Sequence, residues 1–100
     1  MAFTHKIYEN NKLVSEEVYK YCDEFLDKAY EFSKMLENDE FVLDYCICED
    51  NTIEIVGVFS DVKQKIVFQG KESVIKSAYR DYLHPASQKW HQKYHHLHWL

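Results

Sequence analysis

Glycine and proline are scarce in this chain, with two glycines and one proline in 100 residues. That scarcity argues against collagen-like repeats, Gly-rich phosphate loops and long disordered linkers. No apolar run approaches the roughly 20 residues a membrane-spanning helix needs. The opening residues, Met1-Ala2-Phe3-Thr4-His5-Lys6, lack the hydrophobic stretch of a secretion signal. The three cysteines are an odd number with no disulfide-scaffold spacing, which fits a reducing, cytoplasmic setting. Arginine is present once, at Arg80. HExxH, paired CxxC and GxGxxG signatures are all missing, and no enzyme motif takes their place.

What remains is apolar enough to fold. Hydrophobic residues make up 46% and aromatics 16%, and a chain this short has room for one core, so residues 1–100 are expected to form a single domain. Charge is unevenly spread. Residues 1–61 carry 15 acids against 5 bases, net −10, whereas residues 62–100 carry 2 acids against 7 bases, net +5. Such an asymmetry suits electrostatic steering toward a partner or polar self-association.

Apolar spacing predicts the elements. Residues 2–8 read as a short strand, with Asn10-Asn11 as a turn. Residues 16–36 read as a long helix: Val18, Cys22, Phe25, Ala29, Phe32 and Leu36 step by 4, 3, 4, 3 and 4, and Ser15 is placed as its N-cap. Residues 41–48, 53–59 and 65–69 alternate as strands. In this reading Phe41, Leu43, Tyr45 and Ile47 share the face of Ile53, Ile55, Ile66 and Phe68, and Cys46 and Cys48 lie on the other. Helices over 71–83 and about 85–99 follow, the second restarted by Pro85. The expected fold is α+β: a long N-terminal helix on a three- to four-stranded antiparallel meander, closed by two short C-terminal helices. The second sheet face then needs a cover, either those helices or another chain, and a homodimer or partner interface is expected there.

Two constellations carry possible chemistry. His91, His95 and His98 fall within about 60° of arc on the last helix. An i, i+4 histidine pair can clamp zinc, so these three are the candidate metal ligands and zinc the candidate cofactor. They lack a second-shell carboxylate in the nearby sequence. The two C-terminal helices, with Lys71, Lys76, Arg80, Lys89 and Lys93 beside Tyr79, Tyr82, Trp90 and Trp99, offer a basic aromatic surface for nucleic acid. A net −10 remainder would repel a polyanion, which ranks this below a protein partner. Cysteine catalysis has no neighbouring base that the sequence places.

Asp23, Glu24, Asp27 and Glu31 give the first helix a carboxylate-rich surface, and Glu49-Asp50 add two acids at a hairpin turn. Acids so gathered can engage a basic or nucleic-acid-binding protein, while Trp90, Tyr94 and Trp99 supply apolar anchors. The expectation is a small, acidic, non-enzymatic binding protein without a membrane segment. It would act stoichiometrically as an inhibitor or antidote, of the immunity-protein, antitoxin or phage anti-defence (anti-CRISPR-like) type. The runner-up is a histidine-centred metal or nucleic-acid module on the C-terminal helices.

Overall fold

The computed structural model describes residues 2–94 as an α+β fold built on a five-stranded, fully antiparallel sheet. In chain order the elements are β1 (Phe3–Glu9), β2 (Lys12–Tyr19), α1 (Cys22–Glu37), β3 (Val42–Glu49), β4 (Thr52–Phe59), β5 (Val62–Gln69), α2 (Glu72–Ala78) and α3 (His84–Tyr94). One wide π-helical turn, Tyr79–Leu83, joins α2 to α3. Strands lie in the order β2-β1-β5-β4-β3, so β1 pairs with β5 and closes the sheet non-locally. None of the helices among the described residues is long and apolar enough to cross a membrane.

Two hairpin turns are set by residues that accept left-handed backbone. Asn10 and Asn11 both have positive φ (51° and 70°), as do Ser60 and Asp61 (50° and 66°), the arrangement that matches the twist of flanking strands. Gly57 is needed for another reason. A Cβ there would run into the Phe41 ring and the Val42 carbonyl oxygen, so only a bare Cα lets Phe41 pack over the sheet.

The chain begins with strands rather than a helix, and residues 12–19, whose C-terminal half was expected to start the long helix, form β2. Val14 and Val18 belong to that strand, and Ser15 faces Ile7 across the ladder instead of capping a helix. The helix starts later, after Tyr21, which is extended and makes no side-chain cap. Cys22 is exposed there rather than part of the seam. From Phe25 onward the predicted seam holds: Phe25, Ala29, Phe32 and Leu36 are all buried.

A β-bulge at Asp44 corrects the expected alternation in β3. Leu43 pairs with Gly57 and faces the helices, but Tyr45 then pairs with Val56, so every later side chain changes face. Cys46 and Cys48 pack beside the core opposite Ile55 and Ile53, while Tyr45 and Ile47 turn outward and are 38% and 44% exposed.

All helices lie on one side of the sheet. Ile75, Ala78, Leu83, Ala86 and Trp90 join the same core cluster as α1, Ile53, Ile55, Ile66 and Phe68. Among the described residues the C-terminal helices therefore leave the other sheet face uncovered. They are also less separate than expected, because the backbone stays right-handed helical from Ala78 through His84. Pro85 lacks the N–H for an ordinary helical bond and its ring crowds the carbonyl four residues back; the wide turn just before it absorbs both.

Candidate functional site

The acids predicted on the first helix meet a strand residue that the sequence reading had placed on that helix. α1 lies over the β1–β2 side of the sheet, and Glu24, Asp27 and Glu31 line a shallow hollow of about 290 Å³ with Glu17 and Tyr19 of β2. Lys28 stands in the middle, with Nζ 3.7 Å from both Glu17 and Glu31. The Tyr19 hydroxyl donates to Glu17 at 2.6 Å. That bond, with Lys28 behind it, holds the Glu17 carboxyl below its ordinary range. Burial and the same carboxylate push the Tyr19 phenol up. Asp23, Glu24 and Asp27 have no ion-pair partner among the described residues. The corner therefore gathers four carboxylates around one ammonium, with Asp23 alongside in the first turn.

Beneath it sits His5, 4% exposed, opposite Glu17 in the ladder and stacked on Phe68 at 4.7 Å. Its Nδ1 is sealed without a hydrogen-bond partner among the described residues. Burial, with help from Lys28 and against the pull of Glu17, lowers its pKa to about 4, so the ring is neutral at pH 7. An apolar cleft of about 180 Å³ runs from His5 and Lys28 to Met35 and Phe59.

The remaining predicted residues are dispersed. Glu49 and Asp50 border a separate hollow of about 360 Å³ at the far edge strand, with Glu54 and Val67 on the uncovered face, so they do not extend the α1 surface. Trp90 is 7% exposed and belongs to the core, a correction to its expected role as a surface anchor: α3 turns it inward under α1 and β3. Tyr94 stacks on it at 4.7 Å and is partly buried. Lys93 and Asp39 form an ion pair, and Lys89 reaches Glu37 at 3.8 Å, tying α3 to the end of α1. His91 meets the Trp90 ring edge-on at 5.5 Å. His95, His98 and Trp99 lie outside the described residues, and among those described no three His, Cys, Asp or Glu side chains gather to hold a metal ion.

The inward turn of Cys46 and Cys48 leaves both thiols partly buried beside the core. Burial, reinforced by Cys48, pushes the Cys46 thiol up to about 12, and burial raises Cys48 as well. Both stay protonated at pH 7 and are weak nucleophiles.

Sequence reasoning missed His5, Glu17 and Tyr19 as parts of this corner. The missed signal is the period-2 series Ser15, Glu17, Tyr19, which puts Glu17 and Tyr19 on one face once residues 12–19 are read as a strand. None of the protein-family models, curated proteins or solved structures compared with the chain matches it.

Proposed function

We propose that the protein works by stoichiometric binding, its carboxylate corner covering a basic or nucleic-acid-binding surface of a partner protein. This is the mode of immunity proteins, antitoxins and phage anti-defence inhibitors. The observation that carries the reading is the joint lining of one hollow by Glu17, Glu24, Asp27 and Glu31 around a single lysine. A partner arginine or lysine entering the hollow would meet carboxylates already brought together by β2 and α1, so little ordering is left to do on binding.

The test is affinity capture from host lysate on immobilised wild type and on Asp27→Lys/Glu31→Lys. Both positions lie beyond the first turn of α1, where reversal does not oppose the helix dipole. A basic protein held in fixed ratio by wild type and lost from the variant supports the reading. Equal retention on both, or no retained basic protein, refutes it.

A further inference from the structure

The uncovered face of the sheet carries most of the exposed apolar surface. Leu13, Val18, Val42, Tyr45, Ile47 and Val58 all lie there, each between 37% and 63% exposed. An antiparallel sheet normally turns polar residues to water on such a face. We propose that this face is the contact surface for a second copy of the chain, the two sheets packing face to face about a two-fold axis that runs along β5. The inference stands independently of the carboxylate corner, which lies on the helical side.

Ladder register shows why a second copy fits. Reading across the face, one row is Glu16, Lys6, Val67, Glu54, Ile47, and the next is Leu13, Tyr8, Lys65, Val56, Tyr45. β5 is the central strand of five, so a half-turn about it sets β1 over the partner's β4 and β2 over the partner's β3. Lys6 then faces the partner's Glu54, and by symmetry Glu54 faces the partner's Lys6. Val67 meets its own copy, Leu13 meets the partner's Tyr45, and Tyr8 meets the partner's Val56. In these central pairs charge meets opposite charge and apolar meets apolar, twice over, as an isologous interface requires. Glu16 and Ile47 fall on the outermost strands, at the rim, where the Glu16 carboxylate keeps its water. Two like pairs fall on the axis, Lys63 with its copy near the start of β5 and Lys65 with its copy. The Lys65 ammonium is drawn aside in each chain, 4.7 Å from the Tyr8 ring centroid and 3.9 Å from Glu54. Aligned sheets pack with a rotation of about 30°, which displaces the outer strands most and the β1–β5–β4 pairs least. Five strands at ~4.8 Å spacing and about 26 Å length present roughly 600 Å² per copy, near the lower limit for a stable interface. The dimer should therefore dissociate on dilution.

Sedimentation of the purified chain over a roughly hundredfold concentration range tests this. The expected result is a shift from the 12.1 kDa monomer to twice that mass. Lys6→Glu alone sets a carboxylate against the partner's Glu54, and Glu54→Lys alone sets an ammonium against the partner's Lys6; each should weaken self-association at least tenfold. An equimolar mixture of the two variants restores opposite-charge pairing and should recover a dimer, with circular dichroism confirming that each variant is folded. A wild type that stays monomeric throughout overturns the proposal without reference to the variants. Recovery of the dimer in the mixture supports the half-turn along β5, and failure to recover it overturns that geometry.

Discussion

The two faces of the sheet differ in what their side chains have to do. On the helical side, Phe68, Ile53 and Ile55 are fully buried against Phe25 and Phe32, with Phe68 edge-on to both rings. On the other side, only two strands away, Tyr45 and Ile47 stand in water on the same backbone ladder. Folding needs the first set and spares the second. An apolar side chain that the fold does not use is available for contact, and that is where interaction surfaces arise.

Five changes would break or sharpen that contrast. Phe68→Ala should cost about 3–5 kcal/mol in urea unfolding, because it empties a sealed site. Ile47→Ala, measured on dilute protein, should cost no more than about 1 kcal/mol. Similar losses at the two positions would erase the distinction between the faces. Gly57→Ala forces a methyl into Phe41 and the Val42 carbonyl oxygen, and thermal unfolding should report a loss of up to about 3 kcal/mol.

His5 extends the contrast to pH. Its folded pKa of about 4 lies below the unfolded value of 6.5, so the unfolded chain takes up the extra proton between them. This penalty is absent above pH 6.5, grows as pH falls toward 4 and is constant below. Between pH 7 and pH 5 the chain should lose about 2 kcal/mol that His5→Phe, which keeps the stacking on Phe68, does not lose. Parallel stability profiles for the two proteins would show that His5 is not sealed. The smallest effect belongs to Asp27→Lys/Glu31→Lys, whose unfolding free energy should move by no more than about 0.5 kcal/mol, since both side chains are exposed and Glu31 makes only a surface ion pair with Lys28.

Much of this was legible in the residues. The seam from Phe25 to Leu36, the three strands after it and the shared face of Ile55 and Ile66 follow from spacing alone. β2 did not, for two reasons. Its helix-facing residues Ser15 and Glu17 are polar, which weakens the strand pattern, and Val18 continues the helical spacing of Cys22 and Phe25 by coincidence. Its strand identity comes from pairing with β1, a tertiary contact that overrides local preference. The turn of Cys46 and Ile47 depends on a bulge, and one extra residue in a ladder leaves no clear mark in an alternating sequence. Of the site, Glu24, Asp27 and Glu31 were visible as helix acids, but their meeting with Glu17 needed the strand. Trp90 was misjudged because amphipathic spacing tells that a side is apolar, not whether it faces inward or outward.

Recognition by charge at the α1 corner is tested most directly by the rate of association with the captured basic partner, measured from low to physiological salt. Wild type should associate fast at low salt and slow by tenfold or more as salt rises, and Asp27→Lys/Glu31→Lys should begin at least tenfold slower and depend far less on salt. Indistinguishable low-salt rates for the two proteins would contradict it.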